Sequence, residues 1–246
     1  MINCFALKFI NLQQEREMKI NIEIVKSMRC HISRLCIDRL VIISIFIFLL
    51  FAAGCTIFDH SVDPDAIIEK DCGELNTGKN VLVAYATRHS STAGIAENIA
   101  DVLCGLNHRV DLRYVENVSS IEGYDAVIVG SAIYEFNLLP VATDFIERFK
   151  RPLASMPVAY FFGCAGLKED TEENQEGVLI YINPVLTKYP DIVPVDIGRF
   201  GGGVDFSRLN AFEKMIINFI GVTESEDWRD WAKIGAWAEK VSGLID

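Results

Sequence analysis

With 246 residues, half of them hydrophobic, the chain holds enough apolar material to bury a full core. Its formal net charge of −11 is unevenly placed: residues 1–54 carry 7 Lys/Arg against 4 Asp/Glu, and residues 55–246 carry 16 against 30. An acidic domain without a basic stripe argues against nucleic acid as a partner, because neutralising phosphates takes clustered lysines and arginines.

The first 58 residues read as targeting rather than fold. Residues 1–39 are an extension and basic n-region, and residues 1–27 are set aside because Met18 and Met28 each fit as a start. Residues 40–58 (LVIISIFIFLLFAAGCTIF) carry no charge. As a helix rising about 1.5 Å per residue they nearly span a hydrocarbon core of about 30 Å. Arg29, Arg34 and Arg39 precede the run and no Lys or Arg follows until Lys70. The positive-inside rule then keeps the N-terminus in the cytoplasm and sends the remainder across the membrane. Two versions stay open. Phe51-Ala52-Ala53-Gly54-Cys55 resembles a bacterial lipoprotein box with Cys55 as the lipidated residue, although Ala52 stands where such boxes usually carry Leu. The other version is an uncleaved transmembrane anchor. Both leave a membrane-held domain on the extracytoplasmic side.

Cys4, Cys30 and Cys36 precede the apolar run. Cys72, Cys104 and Cys164 remain, an odd number with no CxxC and no metal-ligand spacing, so neither a disulfide framework nor a metal site is expected. Cys104 falls in a helical pattern and is expected in the core.

Residues 59–79 are polar and contain Pro64, Gly73 and Gly78, which predicts a linker with one short helix at most. From residue 80 to 246 short apolar runs alternate with helical periods, the pattern of βαβ units. The first predicted strand, 81–87, is apolar throughout and suits burial on both faces. A helix follows from Thr92, with Ile95, Ile99, Val102 and Leu103 on one face. The second strand, 109–115, alternates. The third, 126–130, is apolar and leads to a helix over 139–150 with Pro140 in its first turn and Val141, Phe145 and Phe149 inward. The fourth strand is 158–162. A helix over 172–188 should be kinked or cut short by Pro184. The fifth strand, 192–197, contains Pro194. Helices over 206–220 and 227–244 complete the chain, the last with Trp228, Trp231 and Val241 on one face. The alternating second strand and the proline-bearing fifth suit sheet edges. The expected fold is therefore α/β, a doubly wound five-stranded parallel sheet of order 2-1-3-4-5 behind an N-terminal hydrophobic segment.

In such a sheet, ligands bind beyond the carboxyl ends of the strands. The first loop, Thr87-Arg88-His89-Ser90-Ser91-Thr92, places four hydroxyls in six positions directly before a helix. Free N–H groups and the positive end of a helix dipole favour a phosphate there. An ordinary helix N-cap is the alternative, since Ser and Thr are favoured at that position anyway. A GxGxxG fingerprint and a Walker lysine are both missing from this loop, which disfavours NAD and ATP. The second loop, Gly130 to Phe136, offers Ser131, Ala132, Ile133 and Tyr134. The third offers Gly163, Cys164, Ala165 and Gly166, whose glycines would let backbone approach a flat ligand. Cys164 reads as a small half-buried residue, because no adjacent His or Lys would activate its thiol.

VLVAYATRHSSTAGIAENIA resembles the first strand, phosphate loop and first helix of flavodoxins. It is most similar to the group containing menaquinone-dependent protoporphyrinogen IX dehydrogenase, whose loop runs S-T-R-x-G-x-T. Thr87, Arg88 and Thr92 keep that pattern, while Ser90 replaces the group's glycine, where a positive φ would cost a serine about 1 kcal/mol or more. Gly130-Ser131-Ala132-Ile133-Tyr134 matches the segment lying beside the flavin ring in that group. Arg199-Phe200-Gly201-Gly202 and Glu226-Asp227-Trp228-Arg229-Asp230-Trp231 extend the similarity, so that it covers about residues 80–244. Trp228 and Trp231 are then expected to anchor the last helix to the sheet.

The resemblance implies FMN as cofactor and residues 87–92, 131–134 and 163–166 as its contacts. It also implies electron transfer from a reduced substrate such as protoporphyrinogen IX to a membrane quinone. No catalytic side chain is assigned; His89 and Glu135 are the ionisable candidates of the first two loops. Two other functions stay open. One is a tethered electron carrier that docks a redox partner protein through its acidic surface. The other is a non-catalytic module that keeps only the fold.

Overall fold

The apolar run at residues 81–86 can bury both of its faces only inside a sheet, and it forms a central strand there. The computed structural model describes residues 62–74, 78–219 and 221–245. The apolar run 40–58 and Cys55 lie outside them, and no helix among the described residues is long and apolar enough to cross a membrane. In chain order the main strands are β1 (Lys70–Cys72), β2 (Asn80–Ala86), β3 (Arg109–Tyr114) and β4 (Ala126–Tyr134). They are followed by β5 (Asn137–Leu138), β6 (Val158–Cys164) and β7 (Asp196–Gly201), with a separate pair β8 (Gly203–Val204) and β9 (Glu226–Asp227). The helices are α1 (Ser91–Gly105), α2 (Pro140–Leu153), α3 (Glu172–Gly177), α4 (Asn183–Lys188), α5 (Ala211–Phe219) and α6 (Trp231–Ile245).

The parallel strands lie in the order β3-β2-β4-β6-β7, which is the expected 2-1-3-4-5. The sheet is larger than expected and only mostly parallel. β1 pairs antiparallel with β3, and β5 folds back on β4 as a hairpin. The segment expected to be a linker therefore supplies the sheet's outermost strand, and β3 is not an edge.

A disulfide between Cys72 and Cys104 ties β1 to the end of α1, with 6.0 Å between Cα atoms. The expectation of unbridged cysteines fails because the partners stand 32 residues apart on a strand and a helix. Spacing rules register only local motifs. The same segment is held by the Tyr85 hydroxyl, which accepts from Ile68 N–H at 2.6 Å and donates to the Ile68 carbonyl at 2.9 Å. At its near end the Asp63 N–H donates to the Arg88 carbonyl at 3.1 Å.

Other departures trace to prolines and glycines. Pro194 has no N–H to give a ladder, so the fifth parallel strand begins after it, at Asp196 rather than residue 192. The predicted helix 172–188 is broken into α3, a 3-10 turn (Val178–Tyr181) and α4, and Pro184 sits in the first turn of α4. Gly130 is required where Phe161 crosses it: a Cβ there would stand 2.0 Å from Phe161 Cζ.

Helices cover both faces. On one, Ile95, Ile99 and Leu103 of α1 are fully buried, together with Val241 of α6. Each such side chain contributes about 1.5–3 kcal/mol. Trp237, and not Trp228 or Trp231, fixes α6 to the sheet. Its ring meets Phe161 and Phe200 edge-on at centroid distances of 6.1 and 5.7 Å. Trp231 is 43% exposed, and Trp228 precedes the helix. On the other face Phe145 and Ile146 of α2 join Tyr160, Phe162 and Ile182.

Candidate functional site

β2 ends at Ala86, and the chain turns through Thr87–Ser90 into α1 at the carboxyl edge of the sheet. Ser90 occupies the N-cap position with φ 71° and ψ −20°, in the left-handed region, and its side chain makes no hydrogen bond back to the first helical turn. The usual reason for a serine before a helix is thus not in use here. The backbone takes the conformation that a glycine adopts freely, as the departure from the S-T-R-x-G-x-T pattern required. The Ser91 hydroxyl accepts from Gly203 N–H at 2.7 Å, which draws the glycine run 201–203 over the start of α1.

Within this turn the side chains divide. Thr87, Arg88 and Thr92 are buried, whereas His89, Ser90 and Ser91 are half-buried. Arg88 points inward. Its Nη2 lies 3.1 Å from Glu213 Oε1, and its guanidinium carbon lies 4.4 Å from the centroid of the Tyr134 ring. His89 Nε2 reaches the same Glu213 oxygen at 3.1 Å. Glu213 belongs to α5 and caps it reciprocally with Asn210. Asn210 N–H donates to Glu213 Oε2 at 3.0 Å, and Glu213 N–H donates to Asn210 Oδ1 at 2.9 Å. Burial works against the charged carboxylate. The Asn210 N–H, His89 and Arg88 outweigh that effect and hold the Glu213 carboxyl below its ordinary range.

The second group of expected residues forms the end of β4 and the hairpin to β5. Ser131 is buried with its hydroxyl committed: it accepts from Leu139 N–H at 2.9 Å and donates to the Ala132 carbonyl at 2.7 Å. Ala132, Ile133 and Tyr134 are half-buried. Glu135 and Phe136 form the two-residue tip, both at positive φ (50° and 64°), and Phe136 is 74% exposed. In the third group Gly163 lies beneath Ile95, where a Cβ would stand 3.0 Å from Ile95 Cδ1. Cys164 is buried, and burial pushes its thiol up to about 11, in keeping with a packing role. Ala165 and Gly166 are exposed in a 3-10 turn (Ala165–Leu167).

A cleft of about 260 Å³ opens beside the first turn. His89, Ser90 and Ser91 form one wall, and Asp205, Asp227 and Arg229 stand opposite. Arg229 is neutralised by a two-pronged pair with Asp227, Nε to Oδ1 and Nη2 to Oδ2, both 2.7 Å. That pairing holds the Asp227 carboxyl low. Of the three expected groups, only the first reaches this cleft, and only through His89, Ser90 and Ser91. Tyr134 meets the buried Arg88 of the same turn, while Ser131 and Gly163 are turned into the fold. The acids of the cleft and Glu213 were not expected as site residues. The glycine run 201–203 and the Glu226–Trp231 stretch were the available signals. Among the described residues no cluster of His, Cys, Asp and Glu could hold a metal ion.

Protoporphyrinogen IX dehydrogenase [quinone] of Leishmania major is 24% identical over 174 residues, covering 66% of this chain and 74% of that protein. Among solved structures, oxidised flavodoxin 2 from Bacillus cereus is 22% identical with a TM-score of 0.42, covering 67% of this chain and 98% of its own. Rubredoxin oxygen:oxidoreductase from Desulfovibrio gigas is 14% identical with a TM-score of 0.41; the match covers 69% of this chain and 37% of that one. Residues 82–230 match the flavodoxin domain family, which is more than half of the sequence, and the chain belongs to that family.

Proposed function

We propose that this chain is an FMN-dependent oxidoreductase whose phosphate-binding element is the turn from Thr87 to Thr92. The carrying observation is the start of α1: a 15-residue helix whose N-cap Ser90 leaves the first-turn N–H groups without a side-chain cap. Its own hydroxyl and that of Ser91 stand at the rim of the adjoining cleft. Donors of this kind at a positive helix end fit a phosphate dianion. Ala132–Tyr134, a loop braced from within by Ser131, and the exposed Ala165–Gly166 turn would hold the ring, with Tyr134 and Phe136 as flat cover and the Cys164 backbone nearby. Flavin supplies reversible one- and two-electron chemistry when bound; the protein's part is to bind, orient and shield it. The named relative supports a reduced tetrapyrrole such as protoporphyrinogen IX as electron donor and a quinone as acceptor.

Membrane tethering through residues 40–58, by lipidated Cys55 or as an anchor, belongs to the same proposal, with the domain outside the cytoplasm. The Cys72–Cys104 disulfide supports that side of the membrane, since such bonds persist in oxidising compartments and are rare in cytosol. The excess of acid in residues 55–246, 30 Asp/Glu against 16 Lys/Arg, favours a second reading, an electron carrier docking a basic partner protein. Purified full-length protein, loaded with FMN and given protoporphyrinogen IX and a quinone, separates the two. Quinone-dependent oxidation supports the enzyme. Bound flavin without turnover, but with electron delivery to a basic redox protein, supports the carrier.

A further inference from the structure

The turn contains one arginine, and a cation beside a phosphate is ordinarily taken to hold it. The geometry points to another role. We infer that Glu213 is a positioning residue that turns Arg88 away from the anion, so that Arg88 serves as a clamp joining the phosphate turn to the ring-side loop. This inference rests on the proposed FMN site.

Arg88 and Glu213 are 8% and 7% exposed at their side chains, so the pair is a buried one. One carboxylate oxygen takes both Arg88 and His89, and the other takes the Asn210 N–H. The carboxylate, carried on α5, is therefore held from two places: the turn and the lead-in to α5. The far side of the guanidinium lies on the Tyr134 ring at 4.4 Å, a contact that favours a flat cation over an aromatic face. With Glu213 in place the turn carries no net charge from this pair. The phosphate is then left to the backbone N–H groups and the hydroxyls of Ser90 and Ser91. Remove the carboxylate charge, and nothing of this pair balances Arg88; the guanidinium gains by moving toward the anion and leaving Tyr134. Glu213→Gln isolates the charge, because glutamine can keep the capping bond to Asn210.

The test has one arm on wild-type protein without flavin. Phenylglyoxal modification mapped by mass spectrometry should find Arg88 at least about tenfold slower than exposed Arg151, as burial of the guanidinium requires. An Arg88 as reactive as Arg151, and protected by FMN, overturns the inference without any variant. In Glu213→Gln, Arg88 should become reactive. The ratio of FMN to riboflavin affinity should rise about tenfold at low salt and fall back at high salt, as a newly exposed cation dictates. Glu213→Asp should restore the wild-type ratio and its weak salt dependence. An unchanged ratio in Glu213→Gln, with Arg88 still unreactive, also overturns it. Failure of wild type to bind either flavin sinks the cofactor proposal instead, and the phenylglyoxal arm still decides whether Glu213 holds Arg88 inward.

Discussion

At the β2–α1 turn Ser90 is held at φ 71°, and at the β4–β5 hairpin Glu135 and Phe136 are held at 50° and 64°. The left-handed conformation costs a non-glycine residue about 1–2 kcal/mol in either place. Their surroundings differ. Beneath the first turn lie a buried ion pair, a hydrogen bond from Asp63 and the glycine run bonded to Ser91. The hairpin tip has its Tyr134–Asn137 pairing, a bond from the Asn137 side-chain amide to the Glu135 carbonyl, and a largely exposed Phe136 whose ring meets Tyr181 at 6.2 Å. One strained turn is fixed by buried, charged and hydrogen-bonded long-range contacts, and the other by hairpin bonds and one largely exposed ring contact. Strain that is over-determined from several directions is the kind associated with pre-organised sites.

The contrast can be broken most severely at Glu213. Glu213→Ala strips a buried arginine of its acid and is expected to cost about 3–5 kcal/mol in urea unfolding. Phe136→Ala at the tip should stay within about 0.5 kcal/mol; equal losses would erase the distinction. Next in size is the disulfide. Replacing Cys72 and Cys104 by serine should cost about 3–4 kcal/mol. Amide exchange should quicken at Arg88 and its neighbours, through Asp63, and not at the tip. Smaller again are glycine substitutions. Ser90→Gly and Phe136→Gly should each stabilise by up to about 1 kcal/mol by relieving the backbone, yet only Ser90→Gly should weaken FMN more than riboflavin, by removing a hydroxyl beside the phosphate, whereas Phe136→Gly should weaken both alike.

The smallest effect is on pH. The Glu213 carboxyl is depressed in the folded state, so its stabilisation is complete above its ordinary value of 4.5 and is lost as pH falls through the depressed value. The melting-temperature gap between wild type and Glu213→Gln should therefore narrow below pH 4.5 and stay flat above it.

What was legible in the sequence follows the same division. The central strands, α1 and the strand order could be read because an apolar run or a helical period is a local signal. The hydroxyl-dense turn and the cost of Ser90 could be read for the same reason. β1, its disulfide and the Glu213 clamp could not, since each joins residues far apart in the chain, 124 positions in the case of His89 and Glu213. Trp228 lies before the helix and Trp231 in its exposed first turn, so the ring on the buried face with Ile234, Ala238 and Val241 is Trp237. The fifth parallel strand begins only at Asp196 because Pro194 has no N–H for the ladder, a signal that is local and present in the sequence.

The phosphorus resonance of FMN added to the purified protein reads the central proposal most directly. Binding at the Thr87–Thr92 turn predicts a shifted, broadened signal that loses the pH dependence of the free phosphate, with riboflavin bound more weakly than FMN. A resonance that keeps the free ligand's position and titration while the protein is folded would contradict the account.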